Sequence, residues 1–176
     1  VPHEQLNGQM QGGMCAFPLP RFPTGVMRGR FHEDQNLYCC GMFAWAGDQH
    51  QPGGMYRVRS TGKPSHLPVG LRAKPKEVEI TLTEAVDRES AIDATNYAIK
   101  TWDLKRTKNY GSQHYNEQRL MIDRAELSKD GRTIRLTLPE LKPTWGMEIV
   151  YSLKSTEGTT VRGKIHNTIH HLGNDR

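Results

Sequence analysis

Cysteine is scarce in this chain: three in 176 residues, at Cys15, Cys39 and Cys40. Neighbouring Cα atoms lie about 3.8 Å apart, whereas disulfides span roughly 4.4–6.8 Å, so a Cys39–Cys40 bridge is not expected. No CxxC or CxxCH occurs. That removes the usual structural zinc spacing and any covalent haem attachment by this stretch. The three are expected to be buried free thiols acting as small hydrophobes. Long apolar runs are also missing, and none approaches the roughly 18–20 residues that span a bilayer as a helix. No P-loop, GxGxxG, HExxH or GxSxG is present, which excludes the enzyme classes those motifs mark. Runs of one charge are absent too. The net charge is +5 and the pI about 9.2, but other residues interrupt the basic stretches "MRGRF" and "KTWDLKRTKNY", and acids are scattered throughout. A solvated, mildly basic surface is expected rather than a nucleic-acid patch. There is no signal-peptide pattern and no initiator Met. The opening "VPHEQLNGQM" reads as part of something longer.

What is present divides into two patterns. Residues 1–65 are rich in Gly and Pro. They hold four short strand candidates, "MCAFPL" (14–19), "GVMRGRF" (25–31), "NLYCCGMFA" (36–44) and "GGMYRVR" (53–59). The turn "HEDQN" joins the second to the third as in a hairpin. On the third, Leu37, Cys39, Gly41 and Phe43 face one way, and Tyr38, Cys40, Met42 and Ala44 the other. Neither side is polar, so this strand is expected to need cover on both faces, as propeller blades do.

Residues 66–176 alternate instead. "VEITLT" sets Val78, Ile80 and Leu82 against Glu79, Thr81 and Thr83; "TIRLTL" and "MEIVYSLK" repeat the pattern. Period two with one apolar face, several times over, predicts an antiparallel sandwich. "SKDGRT" (128–133) and "TEGTT" (156–160) read as hairpin turns, and Asp87 and Ser90 are placed to cap a short helical turn. "KPSHLPVG" (63–70) is the natural hinge.

The stretches "TLTEAVDRESAIDATNYAIK" and "AELSKDGRTIRLTLPELKP" resemble bacterial immunoglobulin-like domains over about residues 70–165. Here Glu84-Ala85-Val86-Asp87 stands where that family usually has Pro-Leu-Asp. The stretch "FPTGVMRGRFHEDQNLYCCGMFAWAGDQHQPGGMYRVRSTGKP" resembles the closing strands of a β-propeller. The propellers in question belong to large secreted bacterial proteins related to glucose and sorbosone dehydrogenases, often associated with a cytochrome c domain. The resemblance implies an all-β chain: a terminal blade over 1–65, then an immunoglobulin-like sandwich over 66–176. It further implies a periplasmic or extracellular, quinoprotein-like sugar or alcohol oxidoreductase as parent, with a quinone cofactor, calcium, and haem on a separate domain. This chain would be its C-terminal fragment, partnered by the remaining blades. The alternative is a non-catalytic secreted module that binds carbohydrate or a partner.

Three groups of side chains invite a functional reading. Arg28, Arg30 and His32 share one strand face in "VMRGRFH", suited to an anionic cofactor or to a blade-to-blade salt bridge. Trp45, Asp48 and His50 lie in a long loop that would floor a ligand site or merely connect two strands. Trp102, Tyr110 and Tyr115 stand among Lys, Arg, Asn and Gln, suited to sugar rings or to anchoring a loop on the sheet. His166 and His170 have a metal-like spacing on a helix, but the local pattern is that of a strand with no third ligand nearby. No metal is expected.

Overall fold

The computed structural model describes residues 1, 5–43 and 51–173. The chain is all-β, in three antiparallel sheets, and forms two compact units: residues 18–64, and residues 1–17 together with 65–176. Among the described residues no helix is long and apolar enough to cross a membrane.

The larger unit opens with β1 (Gly13–Cys15), an edge strand. The smaller unit follows as a meander of β2 (Val26–Phe31), β3 (Leu37–Met42) and β4 (Gly53–Val58). The larger unit then resumes with β5 (Pro68–Lys74), β6 (Glu77–Leu82), the single helical turn α1 (Arg88–Ile92), β7 (Tyr97–Asp103), β8 (Tyr115–Leu120), β9 (Arg124–Leu127), β10 (Thr133–Thr137), β11 (Thr144–Lys154) and β12 (Thr160–Ile169). Its strands form a five-stranded sheet ordered β1-β12-β11-β7-β8 and a four-stranded sheet ordered β5-β6-β10-β9. The inward residues of both join one core. Val78, Ile80, Leu136 and Leu71 come from one layer, and Met147, Ile149, Ile165 and Ile99 from the other. This is the two-layer antiparallel packing that the alternating pattern predicts.

Local chemistry fixes the connections. The Asp87 carboxylate accepts the Ser90 backbone N–H at 2.8 Å and starts α1. In the β9–β10 hairpin, Gly131 takes a φ of +73°, and the Ser128 backbone N–H donates to the Thr133 carbonyl at 2.9 Å. A β-bulge falls between Thr144 and Met147 at the start of β11.

Two sequence expectations change. The segment 14–19 is not a fourth strand of the small sheet. Its strand is Gly13–Cys15, which pairs with Ile165, His166 and Asn167 on β12, about 150 residues away. The thiols are free but not alike: Cys39 is buried, Cys15 is partly covered and Cys40 is exposed. The reason is that the small sheet has unlike faces. One carries Cys39 and Tyr56 and is covered by the preceding segment: Phe22 packs on Tyr56 with ring centres 4.7 Å apart, and the Thr24 and Tyr56 hydroxyls lie 2.9 Å apart. The other face, with Cys40, is left bare by the described residues of this unit.

Candidate functional site

In the smaller unit, strand register decides which side chains meet. Arg30 on β2 lies opposite Tyr38 on β3, and Tyr38 lies opposite Arg57 on β4. The next row reads Arg28, Cys40, Met55. Partners in antiparallel strands share a face, so the predicted pair Arg28 and Arg30 stands on the bare side with Arg57 beside it. His32 follows β2 on the same side, its ring edge-on to Tyr38 at 5.9 Å. Together Arg30, Phe31, His32, Tyr38 and Met55 line a shallow cavity of about 380 Å³.

The turn after β2 fixes one end of this site. The Asp34 carboxylate accepts the Asn36 backbone N–H at 3.0 Å, the Asn36 side-chain amide at 2.8 Å and the Tyr38 hydroxyl at 2.9 Å. Those bonds, led by the Asn36 amide, hold it down at about 2. Asp34 is therefore a fixed carboxylate that orients Tyr38 rather than a proton carrier. Arg57 was not singled out in the sequence. Its alternation with Met55 is visible there, but its placement beside Tyr38 depends on the β3–β4 register. Trp45, Asp48 and His50 lie outside the described residues.

In the larger unit, the three aromatics do not gather. Trp102 is buried. Its indole stacks on His114 at 4.1 Å, and Gly146 lies against it so closely that a Cβ there would fall 2.2 Å from the ring. Tyr115 is half-buried with Lys105 Nζ 4.4 Å from its ring centre, while Tyr110 is fully exposed. Trp102 nevertheless borders a concave surface, where it is joined by Trp145, 57% exposed and edge-on to His170 at 5.5 Å. With Met14, Trp102, Leu104, His166 and Thr168 it lines a groove of about 420 Å³. Period two would have turned Trp145 inward with Met147; the bulge before Met147 turns it out.

The outward face of the five-stranded sheet is a ladder of alternating charge. Glu148 meets Lys164 Nζ at 2.9 Å, His166 Nε2 at 2.7 Å and Lys100 Nζ at 3.8 Å. Glu117 meets His114 Nδ1 at 2.9 Å and Lys100 Nζ at 3.3 Å. The hydrogen bond from Lys164 leads in holding the Glu148 carboxyl below its ordinary range. His166 is thus tied to a carboxylate, and His170 to an indole. Among the described residues no three His, Cys, Asp or Glu side chains are gathered as a metal site.

No family model matches the sequence, and no curated protein does. Among solved structures, the chain is similar to the crystal structure of an S-layer protein, at 22% identity with a TM-score of 0.42. That match covers 59% of this chain and 13% of the S-layer chain.

Proposed function

We propose that this chain is a portion of a larger secreted propeller-type sugar or alcohol oxidoreductase of the quinoprotein kind. Residues 18–64 would be a blade sheet that leans on other blades. The two-layer unit would be an immunoglobulin-like docking domain. The observation that carries the reading is the bare face of the small sheet. It exposes Met42 and Met55 beside three arginines, while the described residues of the same unit cover only the other face. A sheet left in that state has an unmet need for a neighbour, and stacked blades supply one. The chemical class rests on the sequence resemblance.

Sugar oxidation by a quinone needs a cofactor oriented from several sides. This chain supplies one wall, with His32, just beyond the end of β2, nearest to such a role. With no gathered carboxylates among the described residues, calcium falls to other blades, and haem to a separate cytochrome c domain. Residence in the periplasm or outside the cell follows from the same reading.

The test is to express the full reading frame with pyrroloquinoline quinone and calcium, and to follow dye reduction with a panel of aldoses and alcohols. Activity is expected from the parent and not from residues 1–176 alone. A folded parent that oxidises none of them overturns the reading. The Trp145 groove favours a second one, a non-catalytic carbohydrate-binding module, since an exposed indole in a shallow cleft suits the apolar face of a sugar ring. Retention of the chain on an insoluble polysaccharide, lost on Trp145→Ala, is the result that reading requires.

A further inference from the structure

Two of the exposed sheet faces of this protein are charged differently. On the five-stranded sheet, Lys100, His114, Lys164 and His166 each lie against Glu117 or Glu148. That is how a face is made for water. On the small sheet, Arg28, Arg30 and Arg57 share a face on which none meets a carboxylate among the described residues. The one hydrogen bond of Arg28 goes to the carbonyl of its neighbour Met27, at 3.1 Å. The nearby acid Asp34 is already engaged by Asn36 and Tyr38.

Spacing and residue type narrow the occupant. Strands lie about 4.8 Å apart, so the Arg30 and Arg57 backbones are about 10 Å apart across Tyr38; Arg28 is about 7 Å along β2 from Arg30. Tyr38 and Cys40 lie between the arginine-bearing strands; Met55, 75% exposed, completes the Arg28 row, and Met42, 53% exposed, stands on the same face at the end of β3. The cations here are Arg and not Lys. A guanidinium is weakly hydrated and forks onto carboxylates, so it is the cation best suited to being covered. Charges of one sign set among apolar side chains describe an interface whose complement is acidic and apolar in alternation.

We propose that the Arg28–Arg30–Arg57 face is a docking surface for an acidic polypeptide strand or sheet face. Such a partner alternates carboxylates, which meet the guanidiniums, with apolar side chains, which cover Met42 and Met55. The proposal deepens the reading of residues 18–64 as one sheet among others, and rests on it: the neighbouring sheet is the source of that acidic face.

Cys40 lies in the middle of this face and is exposed, so its reaction rate with a thiol reagent reports occupancy. The experiment uses the full chain with three probes: an alternating Glu-Leu peptide, an alternating Lys-Leu peptide and a single-stranded DNA oligonucleotide. Binding is followed by anisotropy and by Cys40 labelling. The Glu-Leu peptide is expected to bind and to slow Cys40 labelling. Each of Arg30→Gln and Arg57→Gln should weaken it about tenfold, the usual worth of one charge-assisted bond. Arg57→Glu should shift preference toward the Lys-Leu peptide, a gain that misfolding does not produce. Equal binding of both peptides, tighter binding of DNA, or unchanged Cys40 labelling would each overturn the proposal. If the peptide fails while the full-length parent is an active oxidoreductase, only this proposal falls. If the peptide binds as stated and the parent is inert, only the enzymatic reading falls.

Discussion

Glu79 shows how a single residue on a strand can hold a charge inside a sheet. It is 6% exposed, and its carboxylate accepts Arg135 Nε at 2.8 Å and Lys74 Nζ at 3.3 Å. Burial by itself would raise its pKa; the hydrogen bonds from Arg135 and Lys74, with their charges, outweigh burial and lower it. The folded pKa is thus below the unfolded one. The stabilisation is present above the unfolded value, ordinarily near 4.5, and is lost as pH falls through the folded value. Glu79→Gln keeps the shape and removes the charge, and should cost about 1.5–3 kcal/mol at pH 7. In urea titrations the gap between wild type and variant should close as pH falls below the ordinary value of 4.5 and through the folded one. A gap constant with pH would mean that shape, not charge, is what Glu79 contributes. In the sequence Glu79 reads as part of a polar, outward face, and it is outward. Its burial depends on Lys74 from β5 and Arg135 from β10 closing over it, and those are neighbours only once the sheet order is known.

At the scale of elements, strands with one polar face were the legible ones. β6, β10 and β11 follow the period-two pattern of Val78, Ile80 and Leu82 and its repeats, because a half-buried strand writes its environment into alternate residues. Turns were legible for a related reason: Asp87, Gly131 and Gly158 satisfy backbone needs that depend on nearest neighbours. β3 was less so. Both of its faces are apolar in composition, and alternation cannot say which is covered; residues 18–25 decide that. The arginine face was half legible, since Arg28 and Arg30 share a strand whereas Arg57 arrives by register. Irregularity escaped altogether: the bulge that exposes Trp145 has no local signature. A second one lies between Val26 and Arg28, and it brings the backbone very close to Gly41. A Cβ there would fall 1.7 Å from the Gly25 carbonyl oxygen. That obstacle is backbone and cannot rotate away. Gly41→Ala should therefore part the start of β2 from β3, at a cost of about 1–3 kcal/mol. Cys39 should become reactive to a thiol reagent while Trp102 fluorescence in the other unit stays unchanged. A Cys39 that remains protected would show that the bulge can move aside.

The larger unit is discontinuous, with the smaller one inserted in its chain, and the pairing of its two segments depends on residues that carry little pattern. β1 is three residues long. The residue just before its glycines, Gln11, is nonetheless among the most buried polar side chains, 3% exposed. Its carboxamide oxygen accepts the backbone N–H of both His170 and His171, the latter at 2.7 Å, and its amide donates to the His171 carbonyl at 3.1 Å. One side chain thus closes the end of β12. A Gln followed by two glycines gives no period to read, and the partner lies about 160 residues away, so only the folded topology shows its role. Gln11→Ala leaves two part-buried amides and a carbonyl without partners. The loss should be about 1–3 kcal/mol, and should appear as a lower urea midpoint reported by Trp102 and Trp145, both in the larger unit. Amide exchange should accelerate first at His170 and His171, then along β12. The smaller unit, followed through Cys39 labelling, should unfold at its original midpoint, because Gln11 bonds only within the larger one. If both midpoints fall together, the two units unfold as one cooperative body, and the division at residues 18 and 64 describes geometry without describing energetics.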